Sequence, residues 1–192
     1  MKRTALILLG LFASVVLAAC GSSNDNSTAG GTEGSHNAAD VTFAQGMVPH
    51  HRQAIEMARM ADRAAAPEVK TLASRIQAAQ DPEIETMSGW LRSWGEDVPS
   101  SSTSMGHGGG HSSTSMPGMM SSDQMNDLMA KGGTAFDRAF LTMMTEHHQG
   151  AIEMARTEQA KGGYGPAKDL AGKIVKDQQA EIDQMAALLT KQ

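Results

Sequence analysis

The sequence contains one segment twice, and this duplication limits the possible folds more than any other feature. Residues 40–59 read DVTFAQGMVPHHRQAIEMAR, and residues 137–156 read DRAFLTMMTEHHQGAIEMAR. Eleven of the twenty positions are identical at an offset of 97 residues. The similarity continues at an offset of 98, where Glu83, Ile84 and Met87 match Glu181, Ile182 and Met185. The chain is therefore two copies of a unit of about 55 residues.

The spacing of apolar residues predicts a helical hairpin in each copy. Phe43, Met47, His50 and Ala54 begin a 4-3-4-3-4 series that lies along one face of a helix. Gly and Pro interrupt the pattern near residues 64–67 and 162–166. The second helices are then expected near residues 68–94 and 166–189. We predict an all-α protein, an antiparallel four-helix bundle built from two duplicated hairpins.

Four residues carry local signals for the start of a helix. Asn37 and Thr134 are suitable N-caps for the first helix of each hairpin. Ser121, followed by Gln124, predicts a capping box at the start of a short additional helix.

The N-terminal segment predicts secretion and attachment to a membrane. Lys2 and Arg3 precede an apolar run over residues 5–19 that ends in Leu-Ala-Ala-Cys. This pattern is typical of a signal peptide and is too short for a spanning helix. Cys20 resembles the lipid-modified cysteine of bacterial lipoproteins, which implies cleavage before it and a lipid anchor on the extracytoplasmic face. An ordinary secretory peptide with a chance cysteine is the alternative.

The same patterns divide the chain into five parts. We predict a signal peptide (1–19), a lipidated cysteine with a flexible Gly/Ser-rich tether (20–36), a first hairpin (37–95), a Met/His-rich crossover (96–122), and a short helix with the second hairpin (123–192). The two hairpins are expected to form one bundle.

Composition excludes several classes of function. The formal net charge is −5 and no basic run follows the signal, which argues against nucleic acid as a partner. Cys20 is the only cysteine, so a disulfide framework, a cysteine zinc site and an iron–sulfur cluster are excluded. The prominent residues are 15 Met and 7 His.

Methionine and histidine are predicted to meet inside the bundle. In an antiparallel hairpin, the histidine pairs lie opposite residues 80–81 and 178–179, within a turn of Glu83 and Glu181. The predicted donors are Met47, His50, His51, Glu83 and Met87 in the first hairpin, and Met144, His147, His148, Glu181 and Met185 in the second. Thioethers suit Cu(I) and imidazole suits both copper states, so copper is the favoured metal, as Cu(I). The crossover offers further donors: Met105, His107, His111, Met116, Met119 and Met120.

Simpler interpretations of these residues stay open. Methionines at helical spacing commonly fill a core, and we expect this of Met57, Met129 and Met154. A buried histidine is often only hydrogen-bonded. Adjacent histidines point about 100° apart on a helix, so one of each pair can be structural. Pro49 disturbs the first helix where the second copy has Glu146, so the two sites are expected to differ.

The doubled pattern Met-x-x-His-His-x-x-Ala-Ile-x-Met-Ala resembles the bacterial domain-of-unknown-function family 305 over residues 40–189. The resemblance includes Met-Pro-Gly-Met-Met before the second copy. It implies a ferritin-like four-helix bundle associated with copper binding and copper tolerance outside the cytoplasm. The residues that match the family motif directly are Met47, His50, His51, Met144, His147 and His148.

Three functions fit these patterns in decreasing order. The first is a lipid-anchored extracytoplasmic copper protein that acts as a buffer, scavenger or carrier, with a metal ion and the membrane as partners. The second is a ferritin-like redox enzyme with two iron or manganese ions, which requires Glu-x-x-His where this chain has Met-x-x-His. The third is a structural bundle of the cell envelope. No nucleophile constellation is present in the sequence, so we do not predict an enzyme, and no protein partner is indicated.

Overall fold

The computed structural model describes residues 35–100 and 116–191. The predicted signal peptide and most of the tether lie outside these residues. So do Cys20 and three predicted donors of the crossover: Met105, His107 and His111.

The described residues form five α-helices and no strands, which confirms the all-α prediction. The helices are α1 (Ala38–Arg59), α2 (Pro67–Trp94), α3 (Ser122–Ala130), α4 (Gly133–Lys161) and α5 (Gly165–Leu189), with a 3-10 turn at Met60–Arg63 after α1. The second helices of both hairpins begin and end within one residue of the predicted bounds. None of the described helices is long and apolar enough to cross a membrane.

The two hairpins pack side by side as a four-helix bundle. Within the hairpins α1 packs on α2 and α4 packs on α5, and between them α1 contacts α4 and α2 contacts α5. The apolar core has two clusters. One contains Met47 and Met87, and the other contains Met144 and Met185. Along α1 and α4 the histidine pairs fall between residues of the two clusters, so a polar layer crosses the middle of the bundle.

Local capping explains where two of the helices begin. The Asn37 side chain accepts a hydrogen bond from the backbone N–H of Ala39 at 2.7 Å, and Asp40 completes a capping box. Ser121 and Gln124 form the second capping box, at the start of α3. Both predictions are confirmed. Thr134 as an N-cap is wrong, because Gly132 caps α4 and Thr134 already lies in its first turn.

Two aspartates join the hairpins at their turns. Asp137 on α4 accepts hydrogen bonds from the backbone N–H groups of Ala65 and Ala66, at 3.1 and 3.0 Å, in the first hairpin's turn. Its repeat equivalent, Asp40 on α1, accepts from Gly163 and Tyr164 in the second hairpin's turn, at 3.1 and 2.9 Å. We call these two contacts the aspartate clasps. Each hairpin thereby closes the other hairpin's turn.

The methionines expected in the core behave differently from one another. Met57 is fully buried and Met154 packs against the core from a partly buried position. Met129 as a core residue is wrong, since it is 44% exposed. Met125 and Leu128 of α3 face the core. Met129 follows Leu128, so its side chain is rotated by about 100° around the helix, towards solvent.

Candidate metal centre

Four histidines lie together in the middle of the bundle. His50, His51, His147 and His148 are all buried, with at most 1% of any of them exposed. The ring centroids of His50 and His147 are 3.8 Å apart and the ring planes are tilted by 44°, so the repeats bring equivalent imidazoles into contact. The rings of His147 and His148 are 6.4 Å apart. The prediction that both pairs face the interior is confirmed.

Each hairpin orients its second histidine with a carboxylate. His51 Nε2 lies 2.9 Å from Glu83 Oε2, and His148 Nε2 lies 2.7 Å from Glu181 Oε2. When Nε2–H donates to the carboxylate, Nδ1 carries the free lone pair. Neither Nδ1 atom has a hydrogen-bond partner among the described residues, and both are buried. A carboxylate that holds one imidazole nitrogen while the other is free is the usual arrangement around a metal-ligating histidine.

The carboxylates differ between the two hairpins. Glu83 also accepts a hydrogen bond from Lys173 at 2.9 Å, and Lys173 pairs with Asp177 at 3.0 Å. Burial would raise the pKa of Glu83, but hydrogen bonds from His51 and Lys173 outweigh it and lower that pKa. Glu181 pairs only with His148 in the described part of the chain. The two halves are therefore not equivalent, as expected from the sequence. The expectation was based on Pro49, and the structure adds a second difference, because Lys173 contacts Glu83.

The first histidine of each pair has a different environment. His50 Nε2 lies 2.9 Å from the carbonyl oxygen of Pro117, which belongs to a short segment, Met116–Met120, that we call the strap. Neither ring nitrogen of His147 has a hydrogen-bond partner in the described residues.

Burial favours the neutral form of three imidazoles, those of His50, His51 and His147. Burial lowers the pKa of His50 to about 4, against the opposing hydrogen bond to Pro117. It lowers the pKa of His147 well below its ordinary value, with the neighbouring His50 acting in the same direction. It also lowers the pKa of His51, although Glu83 opposes the shift. Neutral imidazole is the form that ligates a metal, so no proton has to leave these rings first at neutral pH.

Two glutamines add further unpaired polar atoms near this layer. Gln80 and Gln178, which the hairpin geometry places opposite the histidine pairs, are both buried. Both side-chain polar atoms of Gln80, and Oε1 of Gln178, have no hydrogen-bond partner within the described residues. An unpaired buried polar atom costs roughly 1–3 kcal/mol, so these atoms favour a partner such as ordered water or a bound ion.

The four predicted methionine ligands are fully buried on both sides of the histidines. Met47 and Met87 lie in one apolar cluster, and Met144 and Met185 lie in the other. Met185 Sδ receives a weak hydrogen bond from Thr145 Oγ1 at 3.7 Å. All four side chains fill core positions, and Met47 and Met144 lie one helical turn from the histidine pairs in the sequence.

The side chains available to a metal ion here are mainly imidazoles and thioethers, with few carboxylates. Within residues 35–100 and 116–191, no three His, Cys, Asp or Glu side chains converge as a metal-binding group. A di-iron or di-manganese site of the ferritin-like type needs several converging carboxylates, so these residues suit it poorly. A site here has to combine imidazole with thioether sulfur, which is the donor set that suits copper.

Three predicted crossover donors lie in the strap. Met120 is buried against the core, and Met116 and Met119 are partly buried. Sequence reasoning did not identify Lys173 or Gln53 as neighbours of the site. In the repeat alignment Gln53 corresponds to Gly150, and this difference is the sequence signal from which both positions could have been identified.

Known proteins of similar sequence and structure place the chain in a family. Its sequence matches the domain of unknown function DUF305 over residues 40–189. None of the curated proteins matches it significantly.

Solved structures of three relatives share the fold. A DUF305 protein from Streptomyces coelicolor that is described as secreted is 34% identical with a TM-score of 0.70, over 80% of this chain and 91% of that one. A DUF305 fragment from Deinococcus radiodurans is 29% identical with a TM-score of 0.69, over 81% and 98% of the chains. CopM in its Cu(II)-bound form is 34% identical with a TM-score of 0.66, over 79% and 96%. CopM is also known in Cu(I)-bound and Ag-bound forms. The chain belongs to the DUF305 family.

Proposed function

We propose that this protein binds copper outside the cytoplasm and acts as a copper buffer, scavenger or carrier. The observation that carries the proposal is the set of five buried imidazole nitrogens without hydrogen-bond partners in the described residues: His50 Nδ1, His51 Nδ1, His147 Nδ1, His147 Nε2 and His148 Nδ1. The relative CopM, 34% identical in its Cu(II)-bound structure, supports copper as the metal.

The residues divide into ligands and groups that position them. His51 and His148 would bind through Nδ1 while Glu83 and Glu181 hold their Nε2–H groups. His50 and His147 supply the remaining imidazoles. We expect thioethers from the adjoining apolar clusters to complete the donor set: Met47, Met87, Met144 and Met185.

This geometry suits storage or transfer rather than catalysis. The donors lie in a layer closed by apolar clusters on both sides, so a bound ion is shielded from bulk water. Bound copper would supply a soft Lewis-acidic centre, and the neutral imidazoles and thioethers compensate its charge little. Cu(I), with a single positive charge and a preference for soft donors, is the favoured state.

Replacement of the motif methionines tests the site. Met47→Leu with Met144→Leu keeps nearly the same volume, a change that usually costs below about 1.5 kcal/mol of stability. We expect weaker Cu(I) binding with unchanged helix content, measured by competition with a Cu(I) chelator and by circular dichroism. Binding of Zn(II) should be weaker than that of Cu(I) in the parent and little affected by the change.

A matched pair of methionines provides the control. Met57 and Met154 are also equivalent positions of the repeat, and Met57→Leu with Met154→Leu should leave Cu(I) affinity unchanged.

Joint replacement of His50, His51, His147 and His148 should weaken the binding of both Cu(I) and Cu(II). Parent-like copper binding by both the motif methionine variant and the four-histidine variant would contradict the site. Iron uptake with oxygen or peroxide consumption, and no copper binding, would favour the enzyme instead.

We also propose attachment to the outer face of the membrane through lipid on Cys20. The Leu-Ala-Ala-Cys signal supports this proposal, and a relative from Streptomyces coelicolor is described as secreted. Cys20→Ser should move the protein from the membrane fraction to the soluble extracytoplasmic fraction, as followed by immunoblotting. Retention of the variant in washed membranes would require another means of attachment.

A further inference from the structure

Two equivalent positions of the repeat both contact the strap, but in opposite ways. Gln53 on α1 and Gly150 on α4 correspond at the offset of 97 residues. One contributes a long polar side chain and the other contributes none. The strap occurs once in the chain and passes over both positions.

Gln53 binds the strap through its whole amide group. Its Nε2 donates to the carbonyl oxygen of Met120 at 2.8 Å, and its Oε1 accepts from the backbone N–H of Met120 at 2.7 Å. Both bonds are buried, so water competes poorly for them.

Gly150 leaves space for the strap backbone. A Cβ atom at this position would lie 2.0 Å from the carbonyl oxygen of Pro117 and 2.7 Å from the nitrogen of Gly118. Gly118 has a φ of +76°, and its own Cβ would lie 2.6 Å from the carbonyl oxygen of Glu146. The two glycines let the strap lie directly on the backbone of α4.

This position brings the strap onto one imidazole of the central pair. The Pro117 carbonyl lies 2.9 Å from His50 Nε2, and an oxygen there can only accept. Nε2 of His50 therefore carries the proton, and Nδ1 keeps the lone pair. His147, the repeat equivalent, has no such contact in the described residues.

We propose that Gln53 and Gly150 are positioning residues that hold the strap on His50, fix its Nε2–H tautomer and restrict access to the His50–His147 pair. Metal then reaches this pair only when the Met120 and Pro117 contacts open. The statement about the His50 tautomer concerns the protein without metal. The statement about access rests on the copper-binding function proposed above.

The first experiment measures the tautomer without metal. Side-chain 15N NMR of histidine is compared between the parent, Gln53→Leu and Gly150→Ala. The parent should show His50 as the Nε2–H form, and both variants should show a mixture of tautomers. A pure Nε2–H signal in both variants, or an Nδ1–H signal in the parent, would overturn the proposal.

Two control variants separate this effect from general disturbance. Gln45→Leu removes an amide that donates to the carbonyl of Asp97 at 3.2 Å rather than to the strap. Gly89→Ala adds a methyl group to α2 where no atom lies within 4 Å of its Cβ. Both should keep the parent His50 spectrum. Since Gln53→Leu and Gly150→Ala disturb the strap independently, a folding failure in one leaves the other to decide.

The second experiment measures access with Ag(I), a diamagnetic soft ion. The exchange rate between free and Ag(I)-bound His50 signals should rise about tenfold or more in both variants, because the parent has to break two buried hydrogen bonds first. Parent-like rates would overturn the access part. Absence of Ag(I) and Cu(I) binding to the parent would overturn both the access part and the proposed function, while the tautomer result would still decide the positioning role.

Discussion

At the scale of single residues, Glu158 is a buried acid at a position where the first repeat has an alanine. Its counterpart is Ala61, and it is only 1% exposed beside the clasp aspartate Asp40. Neither carboxyl oxygen accepts a hydrogen bond from a donor in the described residues. Burial and the adjacent Asp40 carboxylate raise the pKa of Glu158 to about 8, with Lys168 opposing the shift.

The ionisation of Glu158 and that of Asp40 are coupled. Burial would raise the pKa of Asp40, but hydrogen bonds from Glu158 and from the backbone of Asn37, Tyr164 and Gly163 outweigh it, so the pKa is lowered. With a pKa of about 8, Glu158 keeps its proton at neutral pH, while the neighbouring Asp40 is ionised.

This pair predicts a loss of stability towards high pH. The folded pKa of about 8 lies above the ordinary value of 4.5, so the folded state holds the proton more tightly between these values. The stabilisation is complete below about 4.5, decreases as pH rises and is lost above about 8. Glu158→Gln, which imitates the protonated acid, should remove this dependence and raise the free energy of unfolding near pH 9 by roughly 1–3 kcal/mol.

Urea unfolding at a series of pH values measures the effect. The control is Glu153→Gln on the exposed side of α4, which should follow the parent. An equal pH slope for the parent and Glu158→Gln would show that the pKa of Glu158 is not raised in the folded state.

At the scale of the helix, the sequence predicted those features that depend on neighbouring residues. Periodicity gave the second helices to within one residue, and the caps at Asn37 and Ser121 could be identified because a cap binds its own helix. Hairpin geometry also placed Glu83 near His51. Lys173 was not predicted as a neighbour of Glu83, because it comes from the other hairpin and no local pattern relates the two.

The capping box of α3 yields a prediction at this scale. Ser121→Ala should lower the free energy of unfolding by about 1 kcal/mol, because the N–H of Gln124 loses its partner at 3.2 Å. Ser74→Ala provides a control, since that exposed hydroxyl donates only to a carbonyl within α2. Chemical denaturation compares the two, and an equal loss in both would contradict the capping role.

At the scale of the whole molecule, the aspartate clasps join the hairpins. Asp137 accepts from two backbone N–H groups at the first turn, for which the described residues provide no other acceptor. Asp137→Asn keeps the shape but exchanges one acceptor oxygen for a donor, so we expect a loss of about 1–3 kcal/mol. Asp62→Asn on the exposed 3-10 turn should have little effect, and calorimetry can compare the two melting temperatures.

Cooperativity is the second part of this prediction. Because each clasp spans both hairpins, the Asp137→Asn variant should still unfold in one transition at a lower temperature. A separate early transition of one hairpin would show that the hairpins are stable independently of each other.

The clasps also give the two hairpins a reciprocal dependence. In a single hairpin the aspartate would have no turn to bind, and the N–H groups of the turn would have no carboxylate. The second hairpin supplies both, so each half of the molecule completes the other as the two subunits of an isologous dimer do. One covalent chain therefore holds at a fixed 1:1 ratio the two surfaces that separate subunits would have to bring together by association.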